Sequence, residues 1–282
     1  MTRISDYKAQ LLQQVQESSD QLGSGGQKML DVAGSDEQID TLIALLKNPA
    51  TPVAEQLSAL STLGVVSIFS KVLPTRSADL TNALRGLINS PNAEVRRQAL
   101  SSLSLMGDEV AQQHLRSELA SDKPEAEKSV PTHQAIAMLG VDGKAIDKAL
   151  LLAIAKNPPD DKSLVQAVRH LPADKDTAAV LMGILQDKSK PLAARALIPD
   201  IVNNVDPSGF AASARQILQE QGADSAIAPY LVRGVVNIQP DKNQHQIEQT
   251  KTFIRSLAAA SPDSFLTAAM PLMSTDKTSS DN

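Results

Sequence analysis

Apolar and polar positions follow one pattern along much of this chain, and Ser90–Gly107 (SPNAEVRRQALSSLSLMG) shows it most clearly. The stretch opens on a turn signal, Ser90-Pro91-Asn92, places Val95, Ala99, Leu103 and Met106 on one stripe at helical spacing, and stops at Gly107. One helix of this length cannot bury its stripe alone, whereas stacked copies cover one another. The predicted helix pairs are Asp36–Lys47 with Pro52–Leu63, Ala78–Ile88 with Ala93–Met106, and Glu109–Ala120 with Glu125–Leu139. Next come Gly143–Lys156 with Lys162–Leu171, Lys175–Gln186 with Leu192–Asn203, and Ser208–Gln219 with Ser225–Asn237. A seventh, less regular pair joins His245–Ala260 to Pro262–Met273. The last core positions of the first helices are Leu46, Ile88, Leu119, Ala155, Gln186 and Leu218, with successive gaps of 42, 31, 36, 31 and 32 residues. A period near 32 with a proline-marked inner turn is a repeat signature, because each pair is one supersecondary unit.

The long first gap is explained by Gly64–Ser77, which carries Val65, Val66, Ile68, Phe69, Val72 and Leu73. It reads either as an extended second helix packing over the next repeat or as an apolar docking element on the rim. Before the repeats, residues 3–22 are amphipathic, with Ile4, Leu11, Val15 and Leu22 on a narrow stripe: a cap over the first repeat or a weak coiled-coil seam. Gly23-Ser24-Gly25-Gly26 ends that segment as a helix stop and hinge. It lacks the Lys-Ser/Thr pair and preceding strand of a phosphate-binding loop. The expected organisation is a helical cap and Gly-rich hinge over 1–34, a repeat array over 35–273, and a polar, disordered tail over 274–282.

Composition fits this picture. Apolar residues make up 42% of the 282 positions but aromatics only 2%, so the interior is Leu, Ile, Val, Ala and Met, suited to helix–helix packing rather than sheets. The fold class expected is all-α, a right-handed α-solenoid of six to seven antiparallel helix pairs.

The pairs resemble HEAT repeats of the short bacterial type. The resemblance is carried by Pro91-Asn92-Ala93-Glu94-Val95-Arg96-Arg97-Gln98-Ala99-Leu100 with Leu103 and the closing Met106-Gly107. Leu63-Gly64 and Leu139-Gly140 repeat the closing dipeptide, and Leu171-Pro172 substitutes another stop. Over residues 35–273 the other pairs match in pattern and spacing, without the Val-Arg dipeptide. The resemblance implies that Arg96 bonds to an acidic group in a neighbouring repeat's turn, a structural role.

Little in the sequence offers chemistry. With no cysteine, disulfides, thiolate metal sites and Cys nucleophiles are excluded. His114, His133, His170 and His245 form neither His-x-x-x-His nor His-Glu, so neither helical metal geometry nor the iron-binding His-Glu pairs of HEAT-like hydroxylases is expected. There is no Gly-x-Ser-x-Gly. Asp36, Glu37, Asp160, Asp161, Asp174 and Asp176 precede or open predicted helices and read as caps and dipole partners. No cofactor is expected. Against 27 basic residues stand 32 acidic ones, a net charge of −5, and there is no Trp. The chain therefore lacks the basic groove and stacking aromatics of HEAT-like DNA glycosylases, and no nucleic-acid partner is expected. The longest apolar run, Ala149–Ala155, is far short of a membrane span of roughly 20 residues. No membrane association is expected, and the location expected is cytoplasmic.

What remains is surface. In a solenoid the second helices line the concave side, where Arg97, His133, Gln166 and Arg169 lie opposite the buried stripes. Phe69 is the candidate on the rim. The function expected is a non-enzymatic interaction scaffold whose partner is another protein with an acidic segment. The alternative is an accessory enzyme subunit resembling the HEAT-like phycobilin lyases.

Overall fold

A computed structural model describes residues 36–69, 73–141, 143, 145–239 and 244–261. Among them every regular element is helical and none is a strand. The expected cap over 1–34, the second helix of the seventh pair and the tail lie outside the described residues.

The chain divides into two units, residues 1–146 and 147–282. The first contains α1 (Asp36–Lys47), α2 (Val53–Phe69), α3 (Leu73–Leu87), α4 (Ala93–Leu105), α5 (Glu109–Ala120) and α6 (Thr132–Leu139). Here α1 packs on α2 and α3 on α4 within pairs. Between pairs α1 packs on α3, and α2 on α4 on α6. First helices stack on first and second on second, the packing logic of a helical solenoid. The long first gap goes into helix: α2 runs on through Gly64 to Phe69, and α3 starts at Leu73 rather than Ala78.

The second unit contains α7 (Lys148–Lys156), α8 (Asp161–His170), α9 (Lys175–Gln186), α10 (Leu192–Arg195), α11 (Ile198–Val202), α12 (Pro207–Gln221), α13 (Ala228–Val236) and α14 (Gln244–Ala260). First helices again stack in sequence, α7 on α9 on α12 on α14, while α8 packs on α10 and α11 on α13.

Several expected helices are shorter, each for a local reason. Glu125–Leu139 is helical only from Thr132, with a 3-10 turn at Glu125–Glu127, because Pro131 cannot sit inside a helix and instead precedes it. Gly143 has φ 72°, ending any helix there, and Asp147 caps α7 by accepting from the Leu150 amide at 3.0 Å. Leu192–Asn203 splits into α10 and α11, since Pro199 offers no amide to the Arg195 carbonyl four residues back.

The core is aliphatic. Val95, Ala99, Leu100 and Leu103 of α4 are fully buried, and Phe210 is the one large aromatic fully buried among the described residues. Met106 departs from the expected stripe: it is 38% exposed. It is the C-cap of α4 rather than its last core residue, and the turn beyond it is a Schellman closure. Gly107 is left-handed at φ 70°, its amide bonds the Ser104 carbonyl, and the Asp108 amide bonds the Leu103 carbonyl.

Candidate interaction surface

The arginine pair of α4 divides its work between fold and surface. Arg96 is structural, as expected, but its partners are carbonyls rather than an acid. Nη1 donates to Ser90 O at 2.7 Å and Pro91 O at 3.1 Å, and Nε to Ser129 O at 3.3 Å in the next pair's loop. Arg97 turns back along its own helix: Nε donates to Glu94 Oε2 at 2.7 Å and Nη2 to Glu94 Oε1. Gln98 Nε2 donates to the same carboxylate at 2.9 Å. The hydrogen bonds from Arg97 first, then that from Gln98 and the Arg97 charge, hold the Glu94 carboxyl at about 2, against some burial. Arg97 is thus 39% exposed but already opposed by a carboxylate. His133, on α6, is half-buried. Because α6 packs on α4, Arg97 and His133 stand on neighbouring second helices of the first unit.

Gln166 and Arg169 belong to the second unit. They sit three residues apart on α8, off the face that buries Leu164, Ala167 and Val168. Gln166 is half-buried and Arg169 exposed, with no hydrogen-bond or ion-pair partner among the described residues. Phe69 is the last residue of α2, and its side chain lies outside the described residues.

Further charges on second helices escaped the sequence reading. Arg233 of α13 donates from Nη2 to Asp200 Oδ2 of α11 at 2.6 Å and lies 5.5 Å over the Tyr230 ring. The signal was present as spacing: Arg169, Asp200 and Arg233 follow one another at 31 and 33 residues, the repeat period. Arg195, which neighbours these helices in sequence, is 6% exposed and points inward, its Nε donating to Leu185 O at 2.9 Å. Burial lowers its pKa, partly opposed by the Asp187 charge.

The other strong polar contacts are structural. Asp108 caps α5 through the Ala111 amide at 2.9 Å and accepts from Arg85 Nη2 of α3 at 2.6 Å, clasping successive first helices. Glu118, buried in α5, accepts from Lys123 Nζ and from the Ser129 amide, both at 2.7 Å, and so straps down the loop before α6. Asp160 and Asp174 cap α8 and α9 as expected, accepting from the Ser163 and Thr177 amides at 2.6 and 3.0 Å. Among the described residues no three His, Cys, Asp or Glu side chains are grouped so as to hold a metal ion. Nor is any described helix long and apolar enough to cross a membrane.

Stacked helix pairs, proline-marked inner turns and the Val-Arg second helix together define an all-α repeat protein. Residues 39–130 match the family model of HEAT repeats. No curated protein and no solved structure matches the chain.

Proposed function

We propose that this protein is a non-catalytic adaptor that binds an acidic segment of another protein on its second-helix surface, with Arg169 as the principal anchor. The observation that carries the reading is the contrast among three second-helix arginines. Arg97 is neutralised by Glu94 on its own helix, and Arg233 by Asp200 on the neighbouring one. Arg169 meets no carboxylate among the described residues. An exposed guanidinium without an internal partner adds little to folding but offers a fork that a carboxylate can meet with two parallel hydrogen bonds. Gln166, one turn away on the same face, adds a donor and an acceptor beside it. HEAT repeats over 39–130 and the absence of a metal-ligating group among the described residues support surface presentation over chemistry.

The test is a native pull-down with wild type and Arg169→Glu, with melting curves alongside. The expected result is an unchanged melting midpoint and loss of a specific protein partner, because attraction becomes repulsion. Equal recovery of every partner by both proteins contradicts the assignment. Recovery of a coloured, tetrapyrrole-bearing partner would favour the lyase-subunit alternative.

A further inference from the structure

We propose that Arg169, Asp200 and Arg233 form a charge ladder selecting an extended partner segment with an acid, a base and a second acid at intervals of about three residues. This rests on Arg169 being the anchor and adds which acidic segments fit there. The three positions are equivalent within the second unit. Each follows two consecutive buried residues: Ala167-Val168 before Arg169, Ile198-Pro199 before Asp200, and Leu231-Val232 before Arg233. Three residues before each charge stands a half-buried side chain, Gln166, Leu197 and Tyr230 in turn, and all three charged residues are exposed. They occupy successive second helices: α8 packs on α10, which leads into α11, and α11 packs on α13. The hydrogen bond from Arg233 Nη2 to Asp200 Oδ2, 2.6 Å long, fixes the last step directly. The 31-residue spacing and the matching burial pattern set Arg169 in the same register one helix earlier.

The Asp200–Arg233 pair is held without being saturated. Glu94 accepts at both oxygens, from Arg97 and Gln98. Asp200 instead gives Arg233 one oxygen, and its Oδ1 meets no donor among the described residues. Arg233 uses one of its five N–H donors on Asp200, and the Tyr230 ring, 5.5 Å from its guanidinium carbon, braces it. Both side chains are about half exposed, at 49% and 50%, so each can take a second partner from solution. The occupant follows from charge complementarity. Positive, negative and positive rungs with a net charge of one favour a segment of acid, base and acid, which is itself net acidic. Packed helices stand ~10 Å apart, which an extended chain covers in about three residues. A run of consecutive acids is disfavoured, because its middle would face the Asp200 carboxylate.

The experiment selects a displayed library of random short peptides on the full chain as wild type, Asp200→Lys, Asp200→Asn and Arg169→Glu. All three changes fall on exposed side chains, so the melting midpoint should stay close to wild type, and Asp200→Asn keeps the shape while removing only the charge. Wild type should enrich Asp or Glu at two positions about six residues apart, with Lys or Arg midway between them. Asp200→Lys should turn the middle preference acidic, and Asp200→Asn should abolish it. A peptide selected by wild type should bind Asp200→Lys on the order of tenfold more weakly by fluorescence titration. Acids enriched without the central base, or a base without the second acid, overturn the ladder while leaving Arg169 as the anchor. The same holds if the Asp200 variants select as wild type does. Peptides enriched in no acid, or selected equally by Arg169→Glu, overturn the Arg169 anchor and the ladder with it.

Discussion

At the scale of single residues, the fold depends on a few positions where no alternative side chain fits. Gly234 in α13 is one. A Cβ there would lie 2.6 Å from Phe210 Cζ and 2.7 Å from Pro199 Cβ, so a hydrogen is what lets α13 approach α11 and α12. Gly234→Ala should cost about 1–3 kcal/mol, or more if buried Phe210 cannot shift, measured by denaturant unfolding. A neutral result would mean those helices can separate freely. Asp108 is another, since it both caps α5 and meets Arg85. Burial pushes its carboxyl up, yet the bonds from Arg85 and the Ala111 amide, with the Arg85 charge, hold it below the ordinary value. Asp108→Ala should cost about 1–3 kcal/mol, from the lost cap and the lost inter-pair contact. Arg85→Ala should cost less, because Arg85 is 41% exposed and its removal leaves the cap in place.

At the scale of elements, helix existence was legible and helix ends were less so. The 3.6-residue spacing located most of the helices, and Asp160 and Asp174 were readable as caps because an acidic side chain just before an apolar run has one obvious acceptor role. Apolar spacing alone continued the pattern through Pro131 and Pro199, where the missing amide breaks the helix. Met106 was misplaced for a related reason. Spacing cannot distinguish the last core position from a C-cap whose direction is set by a left-handed glycine. Arg97 and Arg169 looked equivalent in sequence. Only the geometry distinguishes one held by Glu94 from one that meets no carboxylate among the described residues. Acid stability belongs to this scale, because one depressed carboxyl, Glu94, braces its own helix and another, Asp174, ties α9 to α7. Glu94 falls to about 2 from 4.5, and Asp174 to about 2 from 3.8. The Asp174 shift comes first from the Lys148 hydrogen bond and then from the Thr177 amide. Each binds a proton more readily in the unfolded chain, so its stabilisation is complete above about pH 4.5 and lost as the pH falls towards 2. The melting midpoint should be level from neutral pH to about 5 and decline between roughly pH 4.5 and 2. A midpoint that stays level to pH 2 would mean these contacts do not persist in solution.

At the scale of the whole molecule, stability should be local. Pairs touch mainly their neighbours, so damage in one place need not spread. Leu103, fully buried in α4, provides the probe. Leu103→Ala should cost roughly 2–5 kcal/mol in the first unit and separate its unfolding from that of residues 147–282, as read by hydrogen exchange in each unit. A uniform loss of protection across both units would indicate a single cooperative block. The proposed binding belongs to this scale, and that proposal rests on one exposed guanidinium meeting a carboxylate. Its most direct test is a charge-reversal cycle, measured by titration calorimetry between the purified protein and the partner segment recovered with it. Arg169→Glu should weaken binding by at least about tenfold, roughly 1.4 kcal/mol, and reversing the facing partner carboxylate to Lys should restore much of that loss. If Arg169→Glu binds as wild type does, or if no partner reversal restores it, the second-helix surface around Arg169 is not where this protein meets its partner.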